Sequence, residues 1–472
     1  MEVYMLTKRE EIQTEMMMFT MEDLVPEESL YRKIDKYIDF TFIYDEVKDL
    51  YSDTGRPSVD PVVLFKLVFI QAIDGIKSMR RTCAKIKVDA EYRWFLKIPF
   101  GHDTPHFSVF SKNYQRRFKD NDIFEKIFIN IVNQAIEYGL VDGTKFFTDS
   151  THKKANANKK LYDEEIVEEV KVRRKWLEAE INAERRAQGK SEFEYKDEVV
   201  TKKVKVSRTD SCSGYYFRDH KDNGFMYLDH RTVDAKCNII VDCYITKGNV
   251  HDSMPYIERM EYLRKTFGFI IKQVALDSGY LTIDIKKYLL DNNIFGVFGY
   301  RRYGTKESRK YKKQFSYLNE LDIYYHLKTG EVLEYKGLIN RDGYKTYTNE
   351  GKEKKLLRHI KEDLNELFRE NKLSTYGKEL YKQRAITVER SFADSKCNHG
   401  YRYAMYRGLK KNQHYTWLIC AAQNMKNIAL KVSKYDNSFS NTAFLELISL
   451  KIGEFYQILK ISSKPKPLAF SY

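Results

Sequence analysis

Two aspartates that end short apolar runs most constrain what this chain can fold into. Asp149 follows the run 145–148, and Asp277 follows the run 274–276. Such runs are typical of buried strands, and a carboxylate at the end of a buried strand is poorly solvated. Carboxylates that converge there stay ionised only beside a compensating divalent cation. The sequence therefore predicts a sheet that gathers acidic side chains around metal ions.

A third isolated acid, Glu389, lies in the helix-like run 387–392. Lys396 follows it at i+7, so one helical face presents a carboxylate and, two turns on, an ammonium. Tyr381 and Arg384 precede the run. A metal-binding Glu near phosphate-binding Lys and Arg suits a site that holds a DNA strand while cations activate the attacking oxygen. The alternative, an incidental surface helix, leaves the two strand-end aspartates unexplained.

Length and charge limit the number of domains and the kind of partner that this chain can have. A chain of 472 residues is too long for one ordinary core, so two or three domains are expected. The formal net charge of +15 is concentrated in the windows 77–119 and 382–431, each with eight more Lys and Arg than Asp and Glu. Such surfaces attract polyanions, and beside an acidic metal site the expected polyanion is nucleic acid. Lysines that serve only solubility are the alternative.

The segment 20–120 has helical spacing and is predicted to be a helical DNA-binding domain. Asp60-Pro61 is the expected start of one of its helices. Another is expected to begin at Thr104-Pro105 and to direct a basic set outward, formed by Lys112, Arg116 and Arg117. Short helices that end in one with a basic face are typical of helix-turn-helix-like readers of DNA. An ordinary helical bundle with a solvated charged face is the alternative.

From 140 to 433 strand patterns alternate with helices, which predicts a mixed α/β sheet with helices on its faces. A hairpin is expected to join 225–234 to 238–246. The charge-dense segment 153–207 is expected to be an exposed helical insertion, and the Tyr- and Lys-rich segment 301–375 a second insertion that contains strands. A tail, 434–472, carries no recognisable signal.

Several polar residues have more than one interpretation. His230, His251 and Asp252 could form a zinc site with Cys237 and Cys243, although packing or hydrogen bonding is favoured. Asp252 or Ser253 could instead cap the helix that follows. Asp229 or Asp234 could replace Asp149 as a ligand. The six cysteines form no Cys-x-x-Cys pair, which indicates reduced thiols in a cytoplasmic protein. No apolar run suggests a membrane span or a secretory signal.

Several of these runs together resemble the DDE transposases of bacterial insertion sequences. They are Thr148-Asp149-Ser150-Thr151, Tyr227-Leu228-Asp229-His230-Arg231-Thr232-Val233-Asp234, Gly248-Asn249-Val250-His251-Asp252-Ser253, Leu276-Asp277-Ser278-Gly279-Tyr280 and Thr387-Val388-Glu389-Arg390-Ser391-Phe392. The resemblance covers most of the chain. It implies an α/β fold, with a ribonuclease-H-like mixed sheet and flanking helices, preceded by an all-α N-terminal domain and carrying the two insertions.

The resemblance also implies the residues of the site. Asp149, Asp277 and Glu389 would hold two Mg²⁺ ions, for which Mn²⁺ can substitute. The family's Tyr-Arg-Glu-Lys signature would fall on Tyr381, Arg384, Glu389 and Lys396. Four residues separate Arg384 from Glu389, whereas the family usually has three. Many relatives carry a cysteine cluster before the Glu, but this chain has no cysteine between Cys243 and Cys397, so no zinc is expected there.

The implied activity is that of a cytoplasmic transposase. Such an enzyme would bind the terminal inverted repeats of its element as a homodimer on double-stranded DNA. It would hydrolyse a phosphodiester at each end and use the freed 3′-hydroxyl to attack target DNA. Two alternatives remain: a nuclease of the same fold without strand transfer, and an inactive transposase-derived DNA-binding protein.

Overall fold

The structure is a computed structural model that describes residues 18–55, 57–170, 173–218, 223–300, 306–351 and 353–438. The chain divides into two compact units. The described residues up to Lys126 and those from Met425 onward form the first, and Ile127–Asn424 form the second. The predicted tail, 434–472, lies outside the described residues from 439 on. Within the described ranges, no helix is long and apolar enough to cross a membrane.

The first unit is helical. Its helices are α1 Met21–Leu24, α2 Leu30–Tyr37, α3 Phe42–Val47, α4 Pro61–Ile73, α5 Met79–Val88, α6 Ala90–Leu96, α7 Ser108–Asn113 and the start of α8 Ile123–Glu137. The predicted start of α4 is confirmed, because the Asp60 carboxylate accepts a hydrogen bond from the Val62 N–H at 2.7 Å. Every residue of α4 from Leu64 to Ile73 is buried, so this helix is the centre of the unit.

The second unit contains the remaining elements. Its strands are β1 Lys145–Lys154, β2 Tyr162–Val170, β3 Val199–Ser207, β4 Gly214–Tyr216, β5 Gly224–Asp234, β6 Ile240–Lys247, β7 Gln273–Leu276, β8 Phe295–Phe298, β9 Phe315–Leu318, β10 Ile323–His326, β11 Val332–Ile339, β12 Tyr344–Thr348 and β13 Lys355–His359. Its helices are α9 Lys175–Ala187, α10 Tyr256–Phe267, α11 Ile283–Asp291, α12 Lys306–Lys312, α13 Glu362–Leu373, α14 Thr375–Lys382, α15 Val388–Cys397 and α16 Leu409–Ser438, which continues into the first unit.

A six-stranded sheet forms the core of the second unit. Its order is β4-β5-β1-β7-β8, and β6 pairs with β5 as the expected hairpin. β1 is antiparallel to β5 but parallel to β7, which is in turn parallel to β8. All eleven residues of β5 are buried, and α15 packs on β1 and β5. The fold is therefore a mixed α/β sheet with flanking helices, as predicted.

The first insertion differs from the expected helical segment. β2 and β3 form a two-stranded antiparallel ribbon, and only α9 between them is helical. The strands lack the usual alternation of apolar and polar residues, because both sides of the ribbon are solvated. The acidic strand β2 pairs with the basic strand β3. The ion pair Lys202–Glu169, at 3.1 Å, is one such contact. Val and Thr in β3 favour the extended backbone.

The second insertion contains a five-stranded antiparallel sheet in the order β13-β12-β11-β10-β9. It has an aromatic core of its own, formed by Phe315, Tyr324, Leu333, Tyr347 and Leu356. The chain leaves the central sheet after β8 and returns in α13, which packs on β8. Residues 301–305 and 352 of this segment lie outside the described residues.

Candidate active site

The central sheet places Asp149 and Asp277 side by side. β1 and β7 run parallel with Thr148 opposite Leu276, so the next residue on each strand is an aspartate. Neighbouring strands lie about 4.8 Å apart, which brings the two backbones as close as a sheet allows. The pairing predicted from two apolar runs, 128 residues apart in sequence, is thus explained by strand register.

Arg384 lies between the two carboxylates. Its Nη2 is 2.8 Å from Asp149 Oδ2, and its Nη1 is 3.8 Å from Asp277 Oδ1. Nη1 also donates a hydrogen bond to the Tyr381 hydroxyl at 3.1 Å. Arg384 is almost fully buried, at 4% exposure. The arginine of the predicted signature is therefore in the site despite the extra residue before Glu389, because residues 383–386 form a 3₁₀ turn that leads into α15.

Burial sets the charge of Asp149. It raises the pKa of this carboxyl from 3.8 to about 6, and the nearby charges of Asp277 and Asp252 act in the same direction. Arg384 and a hydrogen bond from the Ser150 N–H, at 2.9 Å, oppose that rise. Asp149 is thus a carboxylate whose ionised form needs more positive charge than Arg384 alone supplies.

Gly299 lies close to the side chains of Asp277 and Tyr381. A Cβ added at Gly299 would lie 2.8 Å from both Asp277 Oδ1 and the Tyr381 hydroxyl. Gly299 follows β8, the strand next to β7. Any larger residue here would displace the second aspartate or the tyrosine.

Glu389 and Lys396 lie on α15, as predicted. Glu389 is exposed, whereas the half-buried Lys396 donates a hydrogen bond from Nζ to Thr151 Oγ1, two residues beyond Asp149. Burial lowers the pKa of the Lys396 ammonium, and Asp229 opposes this shift. Across the described ranges, no three His, Cys, Asp or Glu side chains are grouped so that they could hold a metal ion. The structure thus pairs the two aspartates but does not group Glu389 with them.

A buried ion pair that sequence reasoning missed holds α15 in place. Arg231 and Asp229 on β5 are both fully buried and 2.8 Å apart. Arg231 Nη1 donates to Ser391 Oγ at 2.9 Å and to Ser395 Oγ at 2.8 Å, and the guanidinium lies 4.6 Å from the Phe392 ring centroid. The signal in the sequence was two opposite charges, two residues apart, within a predicted strand.

Asp252 makes a hydrogen bond, which is the interpretation that the sequence favoured. The alternative, a helix cap at Asp252 or Ser253, is wrong, since α10 begins at Tyr256 and has no side-chain cap. Asp252 Oδ1 instead accepts a hydrogen bond from Ser150 Oγ at 2.7 Å, and its Oδ2 would lie 2.8 Å from a Cβ at Gly279. Asp252 therefore links the residue after Asp149 to the turn after Asp277.

The alternative ligands have other contacts. Asp229 pairs with Arg231, and Asp234 accepts backbone N–H groups of Gly143 at 2.9 Å and Lys236 at 2.8 Å. His230 Nε2 is 2.9 Å from Thr246 Oγ1. All six cysteines are free in the structure.

In the first unit, the basic helix is shorter than expected. It is α7, which begins at Ser108 rather than at Thr104-Pro105 and passes into a π-helical turn at Tyr114–Phe118. Lys112 and Arg116 are exposed, as predicted. Arg117 does not point outward: its Nε donates to the Leu50 carbonyl at 3.1 Å, and its guanidinium lies 4.3 Å from the Tyr51 ring centroid. The spacing of apolar residues predicts which face of a helix is buried, but it does not reveal the Leu50 carbonyl and the Tyr51 ring as partners of Arg117.

Two family models match this chain. Residues 19–116 match a transposase domain, DUF772, and residues 345–429 match a transposase DDE domain. The second match contains Tyr381, Arg384, Glu389 and Lys396 but does not reach the two aspartates. No curated protein matches significantly. Among solved structures, the chain is similar to a piggyBac transposase synaptic complex with hairpin DNA, with 10% identity and a TM-score of 0.33 over 93% of this chain and 80% of that chain. At this identity and TM-score the likeness does not establish a shared fold.

Proposed function

Since this chain belongs to the DDE transposases, by its transposase domain and its transposase DDE domain, we propose that it mobilises a bacterial insertion sequence. Its substrates are the terminal inverted repeats of that element and a target duplex. The observation that carries the assignment of the site is the approach of Asp149 and Asp277 around Arg384, where the parallel pairing of β1 with β7 ends.

We propose that the central sheet is ribonuclease-H-like. Three parallel strands, β1, β7 and β8, are followed on the β1 side by the antiparallel pair β5 and β6. The first acid then comes from the middle of β1, the second directly follows β7, and the third comes from a helix that packs on β1. The all-α first unit would provide recognition of the repeats, through the exposed Lys112 and Arg116.

The residues present fit divalent cations. Carboxylate oxygens are the ligands that Mg²⁺ prefers, and the raised pKa of Asp149 shows a local need for positive charge. Asp149 and Asp277 would hold the cations, with Glu389 as the third ligand. When bound, two Mg²⁺ ions supply activation of the attacking oxygen and stabilisation of the leaving oxygen. Mn²⁺ would substitute for Mg²⁺.

Each basic or polar residue of the cluster has a separate task. Arg384 balances the two carboxylates and would bind a phosphate oxygen of the strand, with Tyr381 orienting its guanidinium. Lys396, beside Thr151, holds a neighbouring phosphate. Arg231 acts through α15, because its hydrogen bonds to Ser391 and Ser395 fix the helix that presents Glu389 and Lys396.

We further propose that the enzyme acts in the cytoplasm as a homodimer on DNA, since the two ends of an element must be cut and joined in concert. The repeat sequences are to be identified as matching inverted repeats in the DNA that flanks the gene.

The decisive assay supplies repeat-end DNA with a free 3′-hydroxyl, a supercoiled target plasmid and Mg²⁺. Wild type should join the two, and Asp149→Asn, Asp277→Asn and Glu389→Gln should each abolish cleavage and joining while repeat binding persists. Asp291→Asn, an exposed carboxylate paired with Lys287 at 2.8 Å, is the matched control and should remain active. Cleavage without joining by wild type would indicate a nuclease, and activity in any of the three variants would refute the site.

A further inference from the structure

Two chain segments beside the candidate active site form one basic surface. They are residues 152–160, which end β1 and follow it, and residues 395–411, which run from the end of α15 into α16. Together they carry nine Lys and Arg, of which only Lys153 is buried, and no Asp or Glu. A surface with so one-sided a charge in a chain with 67 acidic residues attracts a polyanion. We call it the β1-end surface.

Backbone contacts join the two segments. The Ala404 N–H donates to the Lys154 carbonyl at 2.7 Å, and the Lys154 N–H donates to the Arg402 carbonyl at 3.2 Å. Arg407 Nε donates to the Asn156 carbonyl at 3.0 Å. Segment 402–404 therefore lies along β1 beyond the point where β7 ends, and the position of the surface relative to Asp149 is fixed by strand pairing.

One buried tyrosine anchors this surface and another is exposed on it. Tyr401 is fully buried, with the Lys153 ammonium 4.1 Å from its ring centroid. Tyr403 is 55% exposed, and Lys154 lies 5.7 Å from its ring centroid. An exposed ring among cations is the combination that stacks a nucleobase while the cations bind the flanking phosphates.

β1 connects the carboxylates to this ring. Lys154 is five residues after Asp149 on the same strand, a distance of roughly 16 Å, and Lys396 contacts Thr151 between them. Because successive strand residues face opposite sides, Asp149 and Thr151 share one face of β1, whereas Lys154 and its bridge partner Tyr403 share the other. A DNA strand whose reacting phosphate lies at Asp149 would therefore meet Lys396 first and would reach the ring of Tyr403 after it crosses the edge of β1 beyond the end of β7.

We propose that the β1-end surface binds the DNA strand that leaves the active site, with phosphates on Lys160, Arg402 and Lys411 and an unpaired base stacked on Tyr403. The inference rests on the proposed function in taking DNA as the polyanion. It adds a preference for an unpaired base, which neither the carboxylates nor the first unit would give.

The test measures binding of the full chain to two fluorescent probes over a range of KCl concentrations. One probe is a short duplex of arbitrary sequence, and the other is the same duplex with a single-stranded 3′ extension. Each phosphate contact contributes about 0.9 to the slope of log K against log salt for duplex DNA. The variant Lys160→Gln/Arg402→Gln/Lys411→Gln should flatten that slope by about 2 to 3.

The matched control is Lys328→Gln/Lys336→Gln/Lys355→Gln. It removes the same charge from exposed positions of the second insertion and should leave the slope unchanged. Circular dichroism checks that both triple variants are folded. Equal slopes in the two triple variants would overturn the charge assignment.

Tyr403 is tested separately. Tyr403→Ala should lose the preference for the extended probe by about tenfold, and Tyr403→Phe should retain it, because stacking needs the ring and not the hydroxyl. Tyr344→Ala, at a 40% exposed tyrosine of the second insertion, is the control. An unchanged preference in Tyr403→Ala would remove the stacking role.

Asp149→Asn, which is inactive under the proposed function, should bind both probes as wild type does. A failure of the proposed DNA-binding surface can therefore be told apart from a failure of the proposed catalytic site.

Discussion

Asp149→Asn should make the second unit more stable while it abolishes activity. Burial raises the pKa of Asp149 from 3.8 to about 6 even with Arg384 beside it. The folded state therefore binds this proton more tightly than the unfolded state does, so Asp149 destabilises the fold progressively as the pH rises from about 4 through about 6. A difference of about 2 pKa units corresponds to about 3 kcal/mol at neutral pH.

Asparagine has nearly the same shape and no charge, so it removes that penalty. Without divalent cations, the variant should gain about 3 kcal/mol at neutral pH, or roughly 5 °C in the unfolding midpoint for a unit of this size. The gain should vanish near pH 4, where wild type is itself protonated. Added Mg²⁺ should raise the midpoint of wild type alone, because only wild type keeps the full set of ligands.

The assay is thermal unfolding in chelator, followed at neutral pH and near pH 4, then repeated with Mg²⁺. Asp277→Asn is the matched comparison: its side chain is 50% exposed, so it should be equally inactive but gain little stability. A variant of Asp149 that is less stable than wild type at neutral pH, or a gain of the same size at both pH values, would refute the reasoning.

Substitutions at five other residues test the contacts of Arg231 and Lys396 in the second unit and of Arg116 and Arg117 in the first. Arg231→Met should lower the free energy of unfolding by about 3–5 kcal/mol, since it leaves Asp229 buried and unpaired, and adding Asp229→Asn should recover much of that loss; urea unfolding measures both. Lys396→Ala should abolish strand transfer on repeat-end DNA, whereas Lys396→Arg should keep part of it, because a cation still reaches the phosphate. Arg116→Ala should flatten the salt dependence of repeat binding in gel-shift titrations with unchanged stability, whereas Arg117→Ala should lower stability by about 1–2 kcal/mol through its lost hydrogen bond and ring contact.

The sequence was sufficient for features that depend on local pattern. Apolar runs located the buried start of β1 and the whole of β7, and the acid after each run located the two aspartates. The expectation that the strand ends at Asp149 is wrong, because β1 continues through polar residues to Lys154. The Asp60-Pro61 pair likewise located the start of α4. The mixed class of the sheet followed from the order of strands and helices.

Features that depend on distant partners could not be predicted in this way. The pattern around Arg231 shows a charge in a strand, but its role depends on Ser391 and Ser395 of α15, more than 150 residues away. Arg117 has the spacing of a surface residue and is turned inward by the carbonyl of Leu50. The ribbon β2–β3 was mistaken for helix because its cross-strand ion pairs, like those on a helix, place charges at short intervals.

The parallel pairing of β1 with β7 has a consequence for where such a chain can accept insertions. The spacing of the first two carboxylates is set by hydrogen bonds between strands, not by the length of chain between them. Closing a longer loop costs only about 0.6 kcal/mol for each doubling of its length. The sheet could therefore accept the ribbon with α9 after β1, and the five-stranded subdomain after β8, at little cost to the aspartates. Insertions of this kind can diverge in length and sequence while the two acids keep their spacing.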